Sequence, residues 1–156
     1  MCSKDIKWMN IALRLADRNI GNVYPNPSVG CLIIKNDRVV GRGWTQLGGR
    51  PHAEAMALRQ AGPNAAGATV YSTLEPCSHF GQTPPCSDAL IAAGIKRLVG
   101  GMRDPDPRVN GCLLSTSDAA DDPLRVVPRG CRSSQKQQLT TYLRHHPTTR
   151  CPPIMC

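Results

Sequence analysis

Pro51-His52-Ala53-Glu54, followed by Glu75-Pro76-Cys77 and Pro85-Cys86, supplies one imidazole, two thiols and a neighbouring carboxylate. Zinc binds imidazole nitrogen and thiolate sulfur readily, and three protein ligands leave a fourth tetrahedral position open to water. Zinc in such a site draws the pKa of that water towards neutrality. A carboxylate that is not itself a ligand can then move protons. His52 and Glu54 are two residues apart, so His52 can hold a metal while Glu54 sits over the open position. A lone His-x-Glu recurs by chance, and two Cys alone can be buried thiols or a disulfide pair. The combination carries the weight: His-Ala-Glu opens an apolar helical pattern, Pro-Cys closes a strand, and Pro-Pro-Cys opens another helix. His52, Cys77 and Cys86 are therefore expected as zinc ligands and Glu54 as the catalytic proton shuttle.

Outward from these residues the chain alternates helix and strand. Asp5–Asn19 is expected as a helix, with Met9, Ala12, Leu13 and Ala16 as its apolar stripe and Ser3 or Asp5 as its cap. Val23–Ser28 is a proline-punctuated loop. Val29–Ile34, an apolar run, reads as a strand buried on both faces. It turns at Asn36-Asp37 into a second strand, Arg38–Thr45, and so forms a hairpin. Leu47–Pro51 is a Gly-rich loop without the Gly-Lys-Ser/Thr of a phosphate-binding P-loop. A helix over His52–Gln60 follows, then a strand over Ala68–Leu74 that delivers Glu75-Pro76-Cys77. A helix from Cys86 to Ala93 and a strand over Lys96–Gly100 complete the series. If a short turn follows Cys77, both cysteines lie near helix N-termini, which favours thiolates.

The ordered set Asn26-Pro27-Ser28-Val29-Gly30, Pro51-His52-Ala53-Glu54 and Glu75-Pro76-Cys77-Ser78-His79-Phe80-Gly81-Gln82-Thr83-Pro84-Pro85-Cys86 resembles the deaminase domain of the bifunctional riboflavin-biosynthesis proteins. These are diaminohydroxyphosphoribosylaminopyrimidine deaminases of the cytidine deaminase-like superfamily. The eight residues between Cys77 and Cys86 resemble that branch rather than the P-C-x-x-C form common in the superfamily. The resemblance runs from about Trp8 to Gly111. It implies an α/β class protein, a three-layer α/β/α fold with a mixed sheet. The implied reaction is zinc-dependent hydrolytic deamination of a small pyrimidine ribotide. The alternatives are a deaminase of nucleosides or of tRNA adenosine, and a non-catalytic, zinc-stabilised remnant.

The resemblance also implies substrate contacts. Asn26 matches a residue that contacts substrate, although it can equally close a turn through its own backbone. His79 either binds substrate or its phosphate, or bonds backbone as a loop histidine. The family often has Lys or Arg where this chain has Gln82, which puts a direct phosphate contact there in doubt. Asp104 and Asp106, in the rigid Asp-Pro-Asp-Pro loop, either approach substrate or form a solvated turn.

Composition narrows the partners. The chain has 156 residues, enough for one domain with a core, and no room is expected for the reductase domain usually fused behind this deaminase. Its net charge is +8, but no five-residue basic run exists. Aromatics make up only 4%, a poor supply for stacking on single strands, so no nucleic-acid partner is expected. The start Met-Cys-Ser-Lys-Asp lacks an apolar signal region, and no apolar run approaches a membrane span. A cytoplasmic location is expected, where eight Cys bind metal or stay free. A homo-oligomer is left open. Beyond Gly111 the pattern stops. Cys112–Cys156 shows no sustained period and is expected to be disordered or an adaptor-derived, out-of-frame segment. The domain is accordingly placed at 1–111, with 112–156 as an atypical tail whose His145-His146 and Cys151 lack paired ligand spacing.

Overall fold

The computed structural model describes residues 3–104. The tail, and with it Asp106, His145, His146 and Cys151, lies outside the described residues. Five of the six residues of β1 (Gly30–Lys35) are buried, as expected of a central strand covered on both faces. β1 pairs antiparallel with β2 (Arg38–Trp44) through the Asn36-Asp37 turn. Both turn residues have positive φ, 51° and 58°, the backbone that a two-residue hairpin requires and that Asn and Asp tolerate. On its other edge β1 pairs antiparallel with β3 (Thr69–Ser72). β3 pairs in parallel with β4 (Arg97–Gly100). The sheet order β2-β1-β3-β4 is therefore mixed. Helix α3 (Cys86–Ala92) forms the crossover that a parallel pair needs.

Period-2 alternation sends side chains to two separate cores. On one face Leu32, Ile34, Tyr71 and Val99 pack with Met9, Ala12 and Leu15 of α1 (Ser3–Ala16). On the other, Cys31, Ile33, Val70 and Leu98 pack with Ala53, Ala57 and Ala61 of α2 (Ala53–Ala61) and Leu90 of α3. This is the expected α/β/α sandwich. Two glycines let the helices sit close. A Cβ on Gly30 would lie 1.9 Å from the Ala12 carbonyl oxygen, and one on Gly43 2.1 Å from that of Ala53.

The α1 region departs from expectation in three ways. The α-helix ends at Ala16 and continues as a 3₁₀ turn over Asp17–Asn19. Leu13 is 48% exposed, and Leu15 lies inside instead. The buried stripe is thus Asp5, Met9, Ala12, Leu15 and Ala16. Asp5 is not a cap. Its carboxylate is buried against Arg97 and Tyr71. Leu47–Gly49 forms a 3₁₀ turn within the Gly-rich loop.

Candidate metal centre

Helix α2 begins at His52, whose extended backbone makes it the N-terminal flanking residue. Glu54 falls in the first turn behind it. Cys86 opens α3, while Cys77 sits in the irregular segment five residues beyond β3. Cys86 is therefore at a helix start, as expected, whereas Cys77 is nine residues before that start in sequence and the short turn that would have brought it to a helix N-terminus is not formed. The Cys86 N–H nevertheless donates to Cys77 Sγ at 3.3 Å, so the start of α3 supports charge on the Cys77 sulfur.

These segments bring the imidazole and both thiols together. His52 Nδ1 lies 3.7 Å from Cys77 Sγ and 3.4 Å from Cys86 Sγ, and the three ligand atoms all fall within 4.8 Å of one another. Ordinary Zn–N and Zn–S bonds at tetrahedral angles put nitrogen and sulfur about 3.6 Å apart, so the observed separations fit a zinc ion without rearrangement. The donor set also has the right chemistry. The Cys86 thiol and then the His52 ring hold Cys77 far below the ordinary thiol range, at about 4. Cys86, the donor in that pair and buried beside it, is pushed up. His52 is raised, first by its bond to Cys77. Metal binding displaces the protons that such a group carries.

Glu54 is 4% exposed. Burial raises its carboxyl above the usual carboxylate range, and the neighbouring Cys77 charge adds to this. The Ser72 hydroxyl, at the C-terminal end of β3, donates to Glu54 Oε1 at 2.9 Å. Next to Ser72 across the sheet is Cys31, fully buried and kept a thiol by burial and by the Glu54 charge.

The other expected site residues divide. The Asn26 N–H closes a turn on the Val23 carbonyl at 2.9 Å, and its side-chain Nδ2 donates to the Gly49 carbonyl at 2.7 Å. Its visible work is to tie the loop ahead of β1 to the loop ahead of His52. His79 is half-buried, and its Nδ1 is buried with no hydrogen-bond partner among the described residues. Gln82 is exposed. The Asp104 N–H approaches Glu75 Oε2 at 3.5 Å, which links the Asp104 loop to the segment that carries Cys77. Sequence reasoning missed Ser72 and Arg50. Ser72 could have been suspected from its polarity inside an apolar strand. Arg50, whose Nη1 donates to Thr83 Oγ1 at 2.7 Å, gives no sequence signal because its partner is 33 residues away.

Among the described residues no helix is long and apolar enough to cross a membrane. Residues 2–102 match the family model of the cytidine and deoxycytidylate deaminase zinc-binding region. The chain is 56% identical over 137 residues to the riboflavin biosynthesis protein RibD of Escherichia coli, covering 87% of this chain and 36% of that one. It thus spans about a third of the length of that relative. It is 48% identical over 108 residues to the diaminohydroxyphosphoribosylamino-pyrimidine deaminase of Buchnera aphidicola from Schizaphis graminum, covering 69% of this chain and 74% of that protein. The solved RibD of Acinetobacter baumannii superposes with a TM-score of 0.67 at 51% identity, over 69% of this chain and 30% of that one. With a His-Cys-Cys group placed to hold a metal ion on this fold, the chain belongs to the cytidine and deoxycytidylate deaminase zinc-binding family, in the branch formed by the deaminase domains of riboflavin biosynthesis.

Proposed function

We propose that this chain hydrolytically deaminates 2,5-diamino-6-(5-phosphoribosylamino)pyrimidin-4(3H)-one to 5-amino-6-(5-phosphoribosylamino)uracil and ammonia. The observation that carries this is Glu54, buried beside the His52-Cys77-Cys86 group and held through Oε1 by Ser72. A purely structural zinc site has no use for a buried carboxylate there. Identity near 50% to a deaminase of similar length supports the substrate.

A zinc ion held by His52, Cys77 and Cys86 would supply the Lewis acidity that makes water a nucleophile near neutral pH. Glu54 takes a proton from that water. The water oxygen bonds to the amino-bearing ring carbon, and Glu54 passes that proton to the ring nitrogen; it then takes the remaining proton of the same oxygen and passes it to the departing amine. The carbon–nitrogen bond breaks, ammonia leaves and a ring carbonyl remains. Ser72 fixes the orientation of the carboxyl during both transfers, while burial keeps competing water from it. Asn26, by holding Gly49, steadies the loop that leads to His52. His79, Gln82 and Asp104 border the same segments and are assigned to substrate contact, as is Asp106. The domain is assigned to residues 1–111. A small-molecule substrate and thiolate ligands suit the reducing cytoplasm, where we place the chain.

The test is ammonia release from this diaminopyrimidine ribotide, with zinc measured on the same samples of wild type and Glu54→Gln. Zinc in both and ammonia from wild type alone is the expected result. Zinc in both and ammonia from neither overturns the assignment.

A further inference from the structure

We propose that Arg50 recognises the phosphate of the substrate and so sets the preference of this site for a ribotide over the corresponding riboside. The proposal rests on the deaminase reading above and assigns a residue to its phosphate-bearing end.

Arg50 stands two residues before His52, and its Nη1 donates to Thr83 Oγ1 at 2.7 Å. Thr83 stands three residues before Cys86. The guanidinium therefore spans the segment that supplies one metal ligand and the loop between the other two. It is half-buried, whereas residues 80–84 of that loop are exposed, which places the charge at the rim of the metal centre.

Among the described residues no carboxylate forms an ion pair with Arg50. Lys4 pairs with Asp37 and Arg97 with Asp5, whereas Arg50 donates to a neutral hydroxyl. A guanidinium has five N–H donors in a planar fork, so one bond to Thr83 leaves donors for an incoming anion. The loop position facing the guanidinium is a glycine. A Cβ built on Gly81 would meet Arg50 Nη2 at 3.7 Å and His79 Nε2 at 3.9 Å, so two nitrogen-bearing side chains converge on a bare glycine. The loop between Cys77 and Cys86 contains no Lys or Arg, and its position 82 is Gln. Arg50 is thus a cation that the fold brings to this loop. The fork geometry matches a phosphate monoester, which accepts two parallel N–H bonds. The competing reading is that Arg50 only straps the loop to the segment before His52 through Thr83.

Zinc-loaded wild type, Arg50→Gln and Arg50→Lys are compared on the ribotide and on its dephosphorylated riboside, with zinc content and Tm recorded for each. Separately, ribose 5-phosphate and ribose are titrated calorimetrically into the same proteins, a readout independent of turnover. In Arg50→Gln the ribotide-to-riboside ratio of kcat/KM should fall by about 10- to 100-fold, the scale of a charge-assisted hydrogen bond. Arg50→Lys should lie between. Ribose 5-phosphate should bind wild type and weaken about tenfold or more in Arg50→Gln. An unchanged selectivity ratio, equal losses on both substrates, or ribose 5-phosphate binding that ignores the substitution overturns the proposal. If wild type turns over neither pyrimidine, the proposed reaction fails, and the ribose 5-phosphate titration still decides the role of Arg50.

Discussion

The carboxylate of Asp5, in the first turn of α1, accepts hydrogen bonds from both terminal nitrogens of Arg97 on β4, at 2.7 and 2.9 Å. Tyr71 on β3 donates its hydroxyl to Asp5 Oδ1 at 2.7 Å. This polar clamp joins α1 to two neighbouring strands across 92 residues of sequence. Truncating one partner of such a pair leaves the other charge half-buried and alone, at a cost of about 3 kcal/mol. Arg97 keeps 32% of its side chain exposed, so we take the low end of that range for Asp5→Ala. Tyr71→Phe should cost about 1 kcal/mol, one hydrogen bond. Urea unfolding of the zinc-loaded protein measures both. A loss below about 1 kcal/mol in Asp5→Ala would show that water replaces the clamp.

The same tyrosine makes stability depend on alkaline pH. Burial first, and then Asp5, raise its pKa in the fold, whereas an unfolded tyrosine loses its proton near pH 10. Above that pH the unfolded chain binds fewer protons than the folded one, so unfolding becomes easier as pH rises. Below it Tyr71 contributes no slope. Stability measured from pH 8.5 to 11 should fall more steeply in wild type than in Tyr71→Phe, by about 1.4 kcal/mol per pH unit above pH 10. Parallel curves for the two proteins would refute the assignment.

Metal content separates ligands from the proton shuttle. His52→Ala, Cys77→Ser and Cys86→Ser should each weaken zinc binding by about 100-fold or more, beyond what loss of an outer-shell partner costs. Glu54→Gln should keep its zinc and lose about 100- to 10,000-fold in turnover. Because metal binding adds to folding free energy, chelation should lower the Tm of wild type and Glu54→Gln alike, and hardly move the ligand variants. Zinc lost from Glu54→Gln would make Glu54 a ligand instead.

Gly43→Ala probes how α2 is seated. Its Cβ would collide with the Ala53 carbonyl, next to Glu54 and one residue after His52. Overpacking of this kind costs about 1–3 kcal/mol, and it pushes on the first helical turn of the site. We expect a lower Tm together with reduced turnover. A lower Tm with full activity would show that α2 moves as a rigid body without disturbing Glu54.

Local pattern made much of this legible. The Asn36-Asp37 turn and the apolar run of β1 announced the hairpin, and His52, Cys77 and Cys86 announced their own meeting. What sequence withheld were contacts made only by tertiary assembly. Leu13 and Leu15 are both apolar, and only the sheet decides which is inside. Asp5 looked like a helix cap because a cap and a buried clamp use the same carboxylate near a helix start. Whether Cys77 sits at a helix start was not legible, since two cysteines and an imidazole can be gathered by an irregular loop as well as by a helix end.

Tyr71 and Ser72 are consecutive in β3, and the pleat sends them to opposite faces. One serves the clamp under α1, the other the carboxyl beside the metal ligands. A one-residue slip of β3 would set either the Tyr71 phenol against Glu54 and Val70 against Asp5, or Ser72 against Asp5 and Thr73 against Glu54, according to its direction. Support of the scaffold and support of the chemistry are therefore locked to a single strand register. Either can change through substitution, but an insertion or deletion within these four residues would strike both at once.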